Sequence, residues 1–182
     1  MPSNSVRISG GRWRSRQIHF PPVPQLRPTS DFVRQALFNW LGQSLEGFNC
    51  LDLYAGSGVL GFEALSRGAS NVVMVDSDPR VVQALRRNAQ KLAADGLEIR
   101  RHDALRFVAA DKRRYDVIFL DPPFDAGVPK PLLRYLPARL ATQGLVYVES
   151  GAEWQPGTDW TVWKKGQAGG VHYQLLRWNL HD

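Results

Sequence analysis

The sequence contains a single cysteine, Cys50, and no apolar run that approaches the length of a membrane-spanning helix. One cysteine excludes an internal disulfide and any metal site built from several cysteines. A membrane helix needs about 20 apolar residues, and the segment from Met1 to Arg7 has no apolar signal-peptide core. We therefore expect a cytoplasmic protein without a metal ion or a membrane contact, in which Cys50 is a small core residue.

Acidic residues are fewer than basic ones: 17 Asp and Glu against 23 Lys and Arg, for a net charge of +6 and a pI of about 9.8. A chain of 182 residues is long enough for one domain with a substantial core. The charge balance favours a polyanionic partner such as nucleic acid. On charge alone, a basic protein without such a partner fits equally well.

The pattern after Cys50 alternates between strands and helices, which is typical of an α/β fold with a mostly parallel sheet covered on both faces. A helix capped by Thr29 or Ser30 precedes it, and two strand-like runs at 161–164 and 173–178 predict an antiparallel edge, making seven strands. The other strands are predicted near 50–54, 72–76, 97–101, 116–121 and 143–149, and the other helices near 58–67, 79–94, 104–110 and 130–140.

The N-terminal stretch predicts a β-hairpin, with strands over 6–9 and 12–20 joined at the pair Gly10-Gly11. A proline-rich connector follows. We expect two parts: a basic hairpin with its connector over 1–28, and a larger domain over 29–182. Alternation would place three arginines on one face of the second strand. Together with a neighbouring ring, these cations suit nucleic acid, and the candidates are Arg7, Arg12, Trp13, Arg14 and Arg16.

A glycine-containing loop follows the first parallel strand. Gly56 and Gly58 would let the backbone turn tightly and approach a ligand. Asp76, at the end of the next strand, is placed to accept hydrogen bonds from ribose hydroxyls. The further candidates for cofactor binding are Asp52, Tyr54, Ser57, Ser77, Asp103, Ala104 and Thr29. Two interpretations of Asp103 are equally supported: a helix N-cap, or an acceptor for an adenine amine.

The string from Gly56 to Gly61 also matches a dinucleotide-binding loop, so by itself it does not separate NAD from S-adenosylmethionine. Three features favour S-adenosylmethionine. Asp52 lies within the strand before the loop, the chain has no room for the substrate domain of a dehydrogenase, and the tetrapeptide beginning at Asp121 has no role in hydride transfer.

That tetrapeptide, Asp121-Pro122-Pro123-Phe124, ends the apolar run of the fourth parallel strand. An exocyclic base amine is a weak nucleophile because its lone pair is delocalised into the ring. Two acceptors that grip its N–H bonds, the Asp121 carboxylate and the Pro122 carbonyl, would turn the lone pair towards a methyl donor. Phe124 would stack on the base, with Pro123 stiffening the tip. The pattern predicts methyl transfer to an amine nitrogen of a nucleobase.

These residues resemble a class I S-adenosylmethionine-dependent methyltransferase with a Rossmann-like fold, and more specifically the RsmD family of bacterial guanine-N2 methyltransferases. The similarity extends over nearly the whole chain, and Phe32 stands where the family usually has a basic residue. The resemblance implies a guanine 2-amine of 16S ribosomal RNA in the small subunit as the target. We also expect a monomer. The segments that carry it are Ile8–Arg16, Leu26–Asp31, Val33–Leu41, Asp52–Gly58, Leu60–Ala69 and Tyr147–Ser150.

Three other functions remain open from the residues. A DNA amine methyltransferase acting on adenine or cytosine would share the tip, although the chain has no insertion large enough for a target-recognition region. An NAD(P)-binding oxidoreductase would share the glycine loop. An inactive RNA-binding assembly factor would keep the fold without the chemistry.

Overall fold

A computed structural model describes residues 4–125 and 127–180. A mixed seven-stranded sheet, in the order β5-β4-β3-β6-β7-β9-β8, forms the centre, and β1 pairs with β2 in a separate two-stranded sheet. The strands are β1 (Ser5–Arg7), β2 (Gln17–His19), β3 (Asn49–Leu53), β4 (Asn71–Asp76), β5 (Leu97–Arg101), β6 (Tyr115–Leu120), β7 (Leu140–Ser150), β8 (Trp160–Ala168) and β9 (Val171–Trp178).

Strands β3 to β7 run parallel, and β9 is antiparallel to both of its neighbours. The predicted parallel sheet with an antiparallel C-terminal edge is therefore confirmed. Because parallel strands end at the same side of a sheet, the loops after β3, β4, β5 and β6 emerge together. This edge carries most of the residues that the sequence singles out.

The helices are α1 (Asp31–Leu41), α2 (Val59–Ser66), α3 (Pro79–Leu92), α4 (Ala104–Ala110) and α5 (Lys130–Leu133). Ser30 rather than Thr29 caps α1, since its Oγ accepts a hydrogen bond from the Val33 N–H at 3.3 Å. The predicted helix over 130–140 is wrong: α5 has four residues, and a separate 3-10 turn covers Pro137–Arg139. Pro137 has no N–H to continue an α-helix. Within the described residues, no helix is both long and apolar enough to cross a bilayer.

Alternate residues of the strands face two hydrophobic layers. Phe119 and Tyr147 pack with α1, α2 and α3, whereas Ile118 and Leu120 pack with α4 and α5. Cys50 lies fully buried in the first layer, as expected, and burial raises the pKa of its thiol. The division of the chain at 28/29 stays a prediction, but the hairpin contributes to this same core through Ile8, Trp13 and Ile18.

The N-terminal hairpin differs from the prediction in its second half. Its paired strands have three residues each, and a 3-10 turn over Gly11–Trp13 lies between them. The strand predicted over 12–20 is therefore wrong, and Arg12, Arg14 and Arg16 do not alternate along one strand. The reason is tertiary packing, because the turn lies against the C-terminal end of α2. A Cβ added at Gly11 would lie 1.9 Å from the Ser66 carbonyl oxygen.

Candidate functional site

Four carboxylates converge at the edge where the parallel strands end. In the register of the sheet, Asp52 lies opposite Phe119, and Leu120 lies opposite Val148. Side chains two residues apart in a strand share a face, so all four carboxylates project towards the layer of α1, α2 and α3. The edge is therefore strongly acidic in a protein whose net charge is +6. The four residues are Asp52, Asp76, Asp121 and Glu149.

The glycine loop follows β3, and Gly56 is the third residue after Leu53, the last residue of that strand. Gly56 and Gly58 both have left-handed backbones, with φ of 54° and 78°. A Cβ on Gly58 would lie 2.4 Å from a methyl group of Leu85, so the loop packs directly on α3. A Cβ on Gly56 would lie in ordinary van der Waals contact with the Leu26 side chain, at 3.8 Å, and Gly56 is half-buried. The loop is thus packed against the core at Gly58 and partly exposed at Gly56.

Asp76 holds the glycine loop in place. Its Oδ2 accepts a hydrogen bond from the Gly56 N–H, and its Oδ1 accepts one from the Asp78 N–H, both at 3.0 Å. Burial raises the pKa of Asp76, and these backbone N–H groups oppose that rise. Since each carboxylate oxygen has a second lone pair, the half-buried Asp76 can still accept from a ligand.

Asp52 is buried and contacts the helix that follows the glycine loop. Its side chain is 1% exposed, and its Oδ2 accepts a hydrogen bond from the Gly61 N–H in the first turn of α2 at 3.1 Å. Burial raises the pKa of Asp52. The structure therefore places it where it orders the helix that follows the loop.

The remaining cofactor candidates lie around the same mouth, except for Thr29. Tyr54 is half-buried with a φ of 60°, and burial followed by the charge of Asp103 raises its pKa. Asp103 is the N-cap of α4, where its Oδ1 accepts from the Arg106 N–H at 2.9 Å. Ser57 and Ala104 are buried, and Ser77 is exposed. The helix-cap role of Asp103 is confirmed, and its adenine contact stays a prediction.

The tetrapeptide tip lies between the ends of β6 and β7. Burial, followed by the charges of Glu149 and Asp52, raises the pKa of Asp121 well above its ordinary value. Pro122 is buried and Pro123 is exposed. The Phe124 ring is 45% exposed and lies against Gly151, just beyond β7. The tip therefore presents one carboxylate and one accessible aromatic face.

Thr29 lies at this tip, where it contacts a residue that sequence reasoning did not select. Its Oγ1 donates to Oε1 of Glu149 at 2.6 Å, and the Tyr147 hydroxyl donates to the same oxygen at 2.8 Å. Glu149 is 3% exposed. The sequence signal for Glu149 is an acid that follows an apolar run, within a segment that carries the family resemblance.

A buried arginine connects this tip to the hairpin. Arg34 is fully buried, and its guanidinium donates to the carbonyl oxygens of Thr29 and Arg7 and to the Asp31 carboxylate. Its Nε lies 3.6 Å from Oε2 of Glu63. Arg34 thereby ties β1, the start of α1 and the residues beside Asp121 into one rigid unit.

The candidate RNA contacts all lie on the hairpin, where Arg7 pairs with Gln17 beside Arg16. Arg7 is exposed, at the end of β1 that Arg34 holds. Arg12 and Arg14 lie at the far end of α2, an eight-residue helix about 12 Å long. Arg16 is nearby and donates to the Lys91 carbonyl oxygen at 3.3 Å. The structure therefore does not bring the three arginines of the hairpin turn to the tip.

Trp13 differs most from its expected role. The side chain is 6% exposed and packs edge-on against Phe62, with 6.5 Å between ring centroids. The Arg12 guanidinium covers the indole at 4.2 Å, and the backbone N–H of Trp13 donates to Ser66 Oγ at 2.9 Å. These contacts leave no ring face open for a base, because the indole fills the core beneath the turn.

Among the described residues, no group of three or more His, Cys, Asp or Glu is arranged to hold a metal ion.

Comparisons with known proteins agree with this architecture. The family model described as conserved hypothetical protein 95 matches residues 6–177. A relative in Escherichia coli, ribosomal RNA small subunit methyltransferase D, is 39% identical over 180 residues, which covers 96% of this chain and 91% of the relative. A relative of the same name in Haemophilus influenzae is 37% identical over 94% of this chain and 93% of its own length.

Solved structures show the same fold. The putative methyltransferase yhhF from Escherichia coli superposes with a TM-score of 0.86 at 38% identity, covering 98% of this chain and all of that chain. A Thermus thermophilus 16S rRNA N2 G1207 methyltransferase, solved with AdoMet and guanosine, superposes with a TM-score of 0.71 at 23% identity, covering 96% of this chain and 49% of that chain. The fold is thus the Rossmann-like methyltransferase fold. The chain belongs to the family of conserved hypothetical protein 95, which is the RsmD family that its motifs resemble.

Proposed function

We propose that this protein is a ribosomal RNA methyltransferase that transfers a methyl group from S-adenosylmethionine to the N2 amine of a guanine in 16S rRNA. One observation carries the proposal. Leu53 and Leu120 lie opposite each other in adjacent strands, so the glycine loop after β3 and the Asp121 tip after β6 emerge side by side. The names of the relatives support the substrate class, and the neighbour solved with AdoMet and guanosine has the same fold.

The residues at the mouth fit S-adenosylmethionine. Gly56 is partly exposed, so a ligand can approach its backbone, and the half-buried Asp76 can accept from ribose hydroxyls. Asp103 has an exposed carboxylate for an adenine amine, and Tyr54, Ser57, Ser77 and Ala104 complete the wall. The acidic edge also suits a cationic ligand. When bound, the cofactor supplies a methyl group that is activated by its sulfonium.

The tip would align the nucleophile. The Asp121 carboxylate and the Pro122 carbonyl accept from the two N–H bonds of the target amine, which turns its lone pair out of conjugation. The exposed face of Phe124 stacks on the extruded base, an interaction worth about 1–3 kcal/mol. Alignment of this kind contributes to the transition state more than to cofactor binding.

RNA contacts would extend well beyond the target nucleotide. Arg7, Arg12, Arg14 and Arg16 lie together on the hairpin, and its turn packs at the end of α2 away from the glycine loop. A surface cavity of about 460 Å³ next to the hairpin turn is lined by polar and basic groups, among them Arg14 and Arg67. Phosphates of a folded RNA that spans this face would meet these cations.

The test is methylation of small ribosomal subunits that lack the modification, followed by mass spectrometry of the nucleosides. The wild type should form N2-methylguanosine, and Asp121→Ala should not, while its affinity for S-adenosylmethionine stays within a few-fold of wild type. Asp125→Ala is a suitable control, because this exposed neighbour contacts only Gln25 among the hydrogen bonds of the described residues. Formation of a methylated adenosine or cytidine instead, or no product at all, would contradict the proposal.

A further inference from the structure

Glu149 is a buried carboxylate next to the tip, and alignment of the amine by Asp121 and Pro122 gives it no role. Leu120 is in register with Val148 in the parallel pair β6 and β7, so the next residues, Asp121 and Glu149, are neighbours on the same face. Adjacent strands are about 4.8 Å apart. The two carboxylates therefore lie side by side on adjacent strands, where the target amine would bind.

Glu149 is held rigidly. Thr29 and Tyr147 both donate to its Oε1, at 2.6 and 2.8 Å, and the charge of the buried Arg34 also favours its ionised form. Burial has the larger effect and raises the pKa of Glu149 above its ordinary value despite these contacts. A carboxylate fixed by two hydroxyl donors is a costly arrangement in a core unless it serves the site.

The surroundings of Asp121 differ from those of Glu149. Its carboxylate accepts no hydrogen bond from the residues that the structure describes, and the charged groups that act on it are Glu149 and Asp52, both acidic. Arg34 and the phenols of Tyr147 and Tyr173 complete the titratable groups that face the two carboxylates. A proton shared by the two carboxylates therefore resides mainly on Asp121, since donors stabilise the anion of Glu149.

We propose that Glu149 is a positioning residue that acts with Asp121 as one carboxylate pair, and that this pair receives the proton released by the target amine. The inference rests on the proposed function. Glu149 increases the proton affinity of Asp121 through its charge, and Thr29 and Tyr147 keep that charge in place.

Methyl transfer releases one proton from the amine. The N2 lone pair forms a bond to the methyl carbon as the carbon–sulfur bond breaks, and the electron pair of that bond stays on sulfur. The amine nitrogen becomes cationic and transfers one proton to the Asp121 carboxylate. The products are N2-methylguanine, the neutral thioether form of the cofactor and a protonated pair, which then loses its proton to water.

The test is the pH dependence of single-turnover methyl transfer on small ribosomal subunits, with wild type, Glu149→Gln and Thr29→Val. In the wild type, the rate should fall as pH drops through the apparent pKa of the pair, because Asp121 then already carries a proton. Glutamine keeps the acceptor oxygen for Thr29 and Tyr147 but removes the charge. The acidic limb of the Glu149→Gln profile, which is the pH range over which its rate falls, should therefore move to lower pH by roughly one unit or more.

Thr29→Val removes one donor to Glu149, so Glu149 would then compete with Asp121 for the proton. The acidic limb should therefore move in the same direction by a smaller amount. It also provides a second reading if Glu149→Gln fails to fold. Glu153→Gln is the matched control, because Glu153 is exposed on the loop after β7 and lies 4.0 Å from Lys165. It removes the same charge and should leave the limb unchanged.

An acidic limb that stays in place in both Glu149→Gln and Thr29→Val, whatever their rates, would overturn the pair and leave Glu149 with a structural role. That outcome differs from failure of the proposed function. If Asp121→Ala were as active as wild type, the amine-aligning role of Asp121 would fail as well.

Discussion

We expect Gly58→Ala to destabilise the fold and to weaken cofactor binding. Gly58 has a φ of 78° and is the residue from which α2 begins. An L-residue in this left-handed conformation costs about 1–2 kcal/mol. The added Cβ would also lie 2.4 Å from Leu85 and 2.9 Å from Phe62, and such overpacking of a core typically costs a further 1–3 kcal/mol or so.

Gly47→Ala separates these two costs. Gly47 has a similar φ of 82°, but a Cβ there would meet nothing within 4 Å, so only the conformational cost applies. For a domain of this size, each kcal/mol lowers the melting temperature by about 2–4 °C. Gly47→Ala should thus melt about 2–8 °C below wild type, and Gly58→Ala clearly lower.

The assay is thermal and urea unfolding of the three proteins, with calorimetric titration of S-adenosylmethionine. Gly47→Ala should bind the cofactor like the wild type, and Gly58→Ala should bind it more weakly. Equal losses of stability in the two variants would refute the packing argument. Unchanged cofactor affinity in Gly58→Ala would show that the loop does not form the cradle.

Three further predictions concern the acids and the hairpin. Asp76→Ala should weaken S-adenosylmethionine binding by about 1–3 kcal/mol in calorimetry, and tighter binding of NADH than of S-adenosylmethionine would contradict the cofactor assignment. Asp121→Asn should raise the melting temperature more at pH 8 than at pH 5: the folded-state pKa of Asp121 is raised, so ionisation costs stability as pH rises through that value. A gain that is larger at pH 5 would reverse this sign. Combined alanine substitution of Arg12, Arg14 and Arg16 should leave the fold and cofactor affinity intact but lower subunit affinity and reduce its salt dependence by up to about three phosphate contacts. Parallel salt titrations at equal affinity would exclude the turn as a docking surface.

The sheet and the position of the tip were predictable because they depend on local patterns. Apolar runs separated by helices predict parallel strands, and the ends of such strands meet at one edge. This reasoning places Gly56, Asp76 and Asp121 together from the sequence alone. Pro79 at the start of α3 and the caps Ser30 and Asp103 also follow from local rules.

The hairpin turn was less predictable because its conformation depends on a distant element. Alternation of arginine with Trp13 is typical of a strand, but the indole gains more by packing on Phe62 in α2. Glu149 was missed for a related reason. Its neighbours Thr29 and Asp121 are far apart in the chain, and their proximity depends on the register of β6 with β7.

The central claim is tested most directly by mapping methylated nucleotides in small-subunit ribosomal RNA from cells that lack this protein. Mass spectrometry should show one guanine without its N2-methyl group. Expression of the wild type should restore that methyl group, and expression of Asp121→Ala at the same level should not. A full set of N2-methylguanines in the cells that lack the protein would contradict the account.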